Sequence, residues 1–64
     1  MKTLLSLETG EQMVEGEKVI TKNGKVCIIE LIDTFHNEVW VSFNGGALSR
    51  KVKPELLNMV FSEV

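Results

Sequence analysis

Cys27 and His36 are the only cysteine and the only histidine in this chain of 64 residues. Nucleophilic catalysis needs a nucleophile, a base within hydrogen-bond reach and a group that orients the base. Cys27 falls in the most apolar segment, where a thiol behaves as a small inert hydrophobe with a raised pKa. His36 falls in a polar segment and is expected in a solvated loop, with pH sensing as the alternative. The two residues predict neither a catalytic pair nor, within a monomer, a four-ligand zinc site.

Carboxylate pairs are the other source of acid and base chemistry. The nearest candidates are Glu8 with Glu11 and Glu15 with Glu17, and no apolar pocket is expected to raise their pKa. We interpret them as a solvated acidic loop. Gly45-Gly46 precedes a predicted strand and lacks the Lys-Ser/Thr sequel of a phosphate-binding loop. The sequence therefore predicts a protein that is not an enzyme and has no cofactor; an enzyme would need a site built from several subunits.

Trp40 is the strongest candidate for a binding residue. It alternates with Val39 and Val41, so it should point away from the core that those two residues define. Indole combines a large apolar area with one donor and often anchors interfaces. The alternative is that residues 1–7 or the C-terminal segment cover Trp40 and make it part of the core. The candidate protein-binding residues are Trp40, Phe35 and His36.

The segments that position these residues are predicted to be short β-strands. Asn23-Gly24, between apolar segments 18–21 and 26–32, predicts a two-residue type I′ turn and a hairpin over residues 18–32. The second arm is apolar at six of seven positions, which predicts a central strand that is buried on both faces or sharply bent.

Further elements follow along the chain. Residues 38–43 predict a strand with Val39, Val41 and Phe43 facing the core. Asn44-Gly45-Gly46 predicts a tight turn, and residues 47–52 predict an edge strand.

The two ends of the chain are less regular. Residues 1–7 predict a terminal strand, and residues 8–17 predict an acidic loop. Pro54 should end the strands and begin a helical turn. Beyond it, a helix that continues to the C-terminus and a last strand at residues 59–61 fit the pattern equally well.

Four segments define the layout of these elements. They are Gly16-Glu17-Lys18-Val19, Asn23-Gly24-Lys25-Val26, residues 39–46 and residues 52–57. This layout resembles a small SH3-like barrel of the kind found in KOW, Tudor-like and related bacterial modules. The resemblance implies a mostly β fold: a small SH3-like five-stranded barrel with an extra N-terminal strand and a short C-terminal helix or 3₁₀ turn. Residues 1–64 then form a single domain, with an N-terminal strand and acidic loop over 1–15 and the barrel core over 16–61.

Basic residues give a second candidate surface, although the net charge of −2 argues against general nucleic-acid affinity. One cluster lies in the first hairpin (Lys18, Lys22, Lys25) and the other near the end of the barrel (Arg50, Lys51, Lys53). In an SH3-like barrel these strands lie close together, so the two clusters could merge into one patch. Protection of edge strands by lysines is the simpler interpretation. The candidate nucleic-acid-binding residues are Lys18, Lys22, Lys25, Arg50, Lys51 and Lys53.

Size and cysteine content bear on partners and location. A domain this small is marginally stable, and with one cysteine it forms no internal disulfide, so we expect self-association or very good packing. Residues 1–7 begin like a signal peptide but lack a cleavage site, and no apolar run approaches about 20 residues. We expect a cytoplasmic protein with no membrane contact.

The functional expectation is a non-catalytic binding module of a bacterium, phage or plasmid. It would act through contacts with a protein partner or an identical subunit as a homo-oligomer. The alternative is an accessory protein that binds RNA or DNA through the basic patch.

Overall fold

A computed structural model describes residues 1–43 and 48–63. The elements of these residues, in chain order, are β1 (Lys2–Ser6), β2 (Lys18–Ile20), β3 (Val26–Asp33), β4 (Glu38–Phe43), β5 (Ser49–Val52), a 3₁₀ turn (Pro54–Leu57) and β6 (Met59–Glu63). The predicted mostly β fold is confirmed. No helix in the described ranges is long and apolar enough to cross a membrane.

The strands form two antiparallel sheets. β1 pairs with β6 from Lys2 opposite Glu63 to Ser6 opposite Met59, and the second sheet has the order β2-β3-β4-β5. The predicted N-terminal strand is therefore present, and its partner is the last strand of the described chain. Residues 8–17 form the predicted irregular connection, with a single bridge between Leu5 and Gln12.

The hairpin of β2 and β3 is confirmed, but its turn differs from the predicted type I′. Gly24 has a φ of 83°, whereas Asn23 is not in the left-handed region that a type I′ turn requires. The Gly24 N–H donates to the Thr21 carbonyl at 2.9 Å, and the Thr21 N–H donates to the Lys25 carbonyl at 2.8 Å. This is a three-residue loop. The Thr21 hydroxyl stabilises it by accepting the N–H groups of Asn23 at 3.3 Å and Lys25 at 3.1 Å.

A bulge in the middle of β3 decides which of its side chains reach the core. Ile29 lies opposite Val41 and Leu31 lies opposite Trp40, which leaves Glu30 as the extra residue. Ile29 is fully buried, and after the bulge Ile32 packs against the core while Leu31 is half exposed. The predicted central position is confirmed, and of the two alternatives for this strand, burial on both faces is wrong.

One core joins the two sheets. Its buried apolar residues are Leu4 from β1, Val19 from β2, Cys27 and Ile29 from β3, Val39 and Val41 from β4, Leu57 from the 3₁₀ turn and Met59 from β6. Phe43 is partly buried against this cluster. The predicted core face of β4 is therefore confirmed.

The segment after Pro54 contains both a turn and a strand. Pro54 begins the 3₁₀ turn, and Asn58 ends it with a φ of 56° and an N–H that donates to the Glu55 carbonyl at 3.1 Å. Of the two alternatives for the C-terminal segment, the last strand is confirmed, because β6 pairs with β1 along its whole length. β5 is an edge strand as predicted and begins at Ser49. The predicted turn at Asn44-Gly45-Gly46 lies outside the described residues.

Candidate binding surfaces

The four-stranded sheet has an apolar face that points away from the core. Side chains alternate between the faces of a strand, so the neighbours of the buried residues lie on this face. Its exposed apolar members are Ile20 (60% exposed), Val26 (46%) and Leu31 (49%). Ile20 lies directly opposite Val26, so this pair forms one continuous contact area. The name outer face is used below for the surface formed by Ile20, Val26, Ile28, Leu31 and Trp40.

Trp40 lies at the centre of β4 on the outer face. Its neighbours on both sides, Val39 and Val41, are fully buried on the other face, and Trp40 itself is half-buried. Its cross-strand partners are Leu31 on β3 and Lys51 on β5. Alternation along β4 predicted this orientation correctly. Residues 2–6 pair with β6 and send Leu4 into the core.

The turn between β3 and β4 holds the other two predicted protein-binding residues. One oxygen of the Asp33 carboxylate accepts the N–H groups of Phe35 and His36, both at 3.0 Å, and its second oxygen lies 2.8 Å from His36 Nδ1. The Phe35 ring meets the His36 ring edge to face, with centroids 4.9 Å apart, and Phe35 is 86% exposed. The turn therefore holds an exposed aromatic side chain at the end of the hairpin that carries Trp40.

The His36 contact also changes the electrostatics of this turn. The side-chain hydrogen bond from His36 is the main cause that lowers the pKa of the Asp33 carboxyl, and the N–H group of His36 lowers it further. The carboxylate form of Asp33 is therefore the form that the turn stabilises.

Asp33, His36 and Glu38 form a cluster that sequence reasoning missed. Their potential ligand atoms all lie within 4.8 Å of one another. Glu38 Oε2 also lies 3.2 Å from Lys51 Nζ, and His36 is hydrogen-bonded to Asp33. These protein contacts account for the arrangement without an ion. The signal in the sequence was the placement of Asp33 and Glu38 at the two ends of one turn, where antiparallel pairing sets them opposite each other.

The six basic residues do not form one patch. Lys25 and Arg50 line the same cleft, together with Gly24, Val26 and Phe43. Lys51 pairs with Glu38 near the outer face. Lys18 and Lys22 line a separate groove that also contains Glu8, and Lys53 is exposed just before the 3₁₀ turn. The structure therefore brings together one cation from each predicted cluster and places the other four outside this cleft.

Cys27 lies in the core with 1% of its surface exposed, and it is a free thiol. Burial raises the pKa of this thiol, which disfavours the thiolate. Its surroundings are those of a packing residue.

The chain matches no protein-family model, and the comparisons with curated proteins and with solved structures gave no significant match.

Proposed function

We propose that this chain is a non-catalytic binding module whose outer face binds a protein surface, and that the partner is a second copy of the same chain. The observation that carries the proposal is the exposure of Ile20, Val26 and Leu31 on the face of the sheet that also carries Trp40. Scattered single apolar residues on a surface are ordinary, but a contiguous group is typical of an interaction site.

The charges around the outer face favour a second copy as the partner. Lys51 and Glu38 form an ion pair beside Trp40, and the bulge residue Glu30 is exposed next to Leu31. In a two-fold dimer the same surface meets itself, so it must be self-complementary. A face with both signs of charge around an apolar centre meets this requirement, whereas a face with one sign would repel its copy.

The size of the domain supports the same partner. A chain of 64 residues has a small core, and domains of this size commonly gain stability from oligomerisation. Burial of apolar area contributes about 25 cal/mol per Å². Contact through the outer face would remove the half-exposed apolar side chains from water in both copies.

Trp40 and Phe35 are the proposed anchors. Trp40 lies at the centre of β4, directly opposite Leu31 on β3 and Lys51 on β5. Central aromatic residues usually carry the largest share of binding energy. Phe35 and His36 lie at the end of the hairpin that carries Trp40, on a turn fixed by Asp33.

We further propose that the two sheets together form an SH3-like barrel. Three features support this architecture: a core shared by both sheets, the pairing of the first strand with the last, and a 3₁₀ turn between β5 and β6. The N–H of Lys22 donates to the Leu56 carbonyl at 2.9 Å, which ties the β2–β3 loop to that turn.

Sedimentation equilibrium over a dilution series tests the proposed dimer. We expect the wild-type chain to dimerise, Leu31→Lys to be monomeric at the same concentrations, and Leu7→Lys to dimerise normally. Leu7 is a matched control because it is 61% exposed and lies after β1, away from the outer face. Thermal unfolding establishes that both variants fold. A wild-type chain that stays monomeric at its highest soluble concentration would refute self-association, and so would equal weakening by the two substitutions.

A further inference from the structure

The cleft lined by Lys25, Phe43 and Arg50 lies on a different side of the sheet from Lys51. Arg50 is opposite Val41 in the β4–β5 register, and Val41 points into the core. Phe43 is two residues beyond Val41 on the same side of β4, where it packs against the core. Lys25 and Gly24 come from the β2–β3 loop, and Val26 at the start of β3 completes the described lining.

The lining combines two kinds of group that recognise one kind of ligand. Lys25 and Arg50 supply two positive charges, and among the described residues that line the cleft no carboxylate opposes them. Guanidinium groups bind phosphate with paired hydrogen bonds, and ammonium groups bind it as point charges. Phe43 supplies an aromatic surface, and the bases of nucleotides stack on such surfaces in a way that tolerates any sequence. The cleft measures about 580 Å³, within the range of sites for small molecules.

We propose that this cleft binds a nucleotide, with its phosphate between Lys25 and Arg50 and its base against Phe43. The nucleotide is either a free mononucleotide or one unit of a single strand, because both present the same phosphate and base. This proposal does not depend on the dimer, since Lys25, Phe43 and Arg50, which would contact the nucleotide, lie outside the outer face. Val26 is the one residue that belongs both to the described lining and to the outer face.

The charge of the whole chain limits how such a ligand is held. With a net charge of −2, the protein offers no long-range attraction to a polyanion, so the local pair of cations must supply the electrostatic contribution. Neutralisation of one phosphate predicts a weak salt dependence for a single strand, with a slope of about −0.7 in log K against log salt concentration.

Arg50 and Lys51 provide a matched pair of variants. They are neighbours on β5, each loses one positive charge on substitution by Gln, and they lie on opposite sides of the sheet. We expect Arg50→Gln to weaken binding of a labelled oligothymidylate and of adenosine monophosphate by about tenfold or more. We expect Lys51→Gln to change either affinity by less than about twofold. Equal weakening by both variants would show general charge attraction and overturn the site.

Phe43→Leu tests the aromatic contact separately. Leu keeps an apolar side chain against the core but removes the ring, and thermal unfolding measures any loss of stability. We expect weaker binding of adenosine monophosphate and unchanged competition by inorganic phosphate. If inorganic phosphate displaces the labelled oligothymidylate from the wild-type protein as well as adenosine monophosphate does, the base contact is refuted.

Competition between the two probes distinguishes the sources of the nucleotide. If adenosine monophosphate displaces the oligonucleotide, both ligands bind in the cleft. If the oligonucleotide binds but adenosine monophosphate does not, and Arg50→Gln abolishes that binding, the ligand is a single strand. Binding of adenosine monophosphate alone identifies the free nucleotide. Absence of binding by both probes would overturn the proposal and leave the dimer untouched.

Discussion

The Glu15 carboxylate accepts a hydrogen bond from the backbone N–H of Ile32 at 2.9 Å. β2 runs beside β3 only as far as Ile28. The neighbouring residues Gly16 and Glu17 continue the pairing through two bonds to Ile29, at 2.7 and 2.9 Å. Beyond the bulge, the side chain of Glu15 takes the place of a strand as the partner of β3.

Replacing Glu15 tests this role. We expect Glu15→Ala to lower the free energy of unfolding by about 1 kcal/mol, since it removes the acceptor of a backbone N–H. Glu15→Gln keeps an acceptor oxygen and should cost less. Glu8→Ala, an exposed glutamate of the same connection, is the control. Urea unfolding measures all three, and equal stability of the two alanine variants would contradict the role of Glu15.

Substitution of Gly24 should destabilise the protein because of its backbone conformation alone. Its φ is 83°, and a Cβ built at this position meets no atom within 4 Å. Gly24→Ala should therefore cost about 1 kcal/mol through strain in the left-handed region. Gly24→Asn should cost less, because asparagine tolerates that region. The measurement is the denaturation midpoint, and an unchanged midpoint in Gly24→Ala would refute the three-residue loop.

The lowered pKa of Asp33 predicts how the β3–β4 turn responds to acid. Its pKa is lowered in the folded protein, so its contribution to stability is present above the unfolded pKa of about 3.9 and is lost as the pH falls through the folded pKa. Asp33→Asn should make unfolding less sensitive to acid in that range. His36→Ala should move the pKa of Asp33 back towards its ordinary value, because the His36 side chain is the main cause of the shift.

Carbon-detected NMR titration can follow Asp33 directly, since it is the only aspartate in the chain. Phe35→Ala is the control variant, because it removes an exposed ring and leaves the backbone N–H that Asp33 accepts. An unchanged Asp33 pKa in His36→Ala would contradict the assignment of the cause.

Local patterns predicted most of the strands. Alternation in β4 correctly separated Val39 and Val41 from Trp40, because burial on one face imposes a period of two. The turn at Gly24 was predicted in place but not in type, since Asn-Gly also fits a wider loop when a neighbour such as Thr21 can hydrogen-bond to it.

Features that depend on distant parts of the chain could not be predicted. The segment at Met59 fits a helix and a strand equally well, and pairing with Ser6 on β1 decides between them. The cleft between Lys25 and Arg50 likewise depends on the arrangement of two hairpins. Adjacent residues on a strand face opposite ways, so the grouping of Arg50 with Lys51 in one patch was wrong for a reason that alternation itself supplies.

The pairing of β1 with β6 has a consequence for how this domain can be built into other proteins. Lys2 lies directly opposite Glu63, and opposed residues of an antiparallel pair have Cα atoms roughly 5 Å apart. A peptide that enters the domain and one that leaves it therefore pass side by side. The unit can be inserted into a surface loop of a host protein without spreading the two ends of that loop, and a short linker between its ends would permit circular permutation.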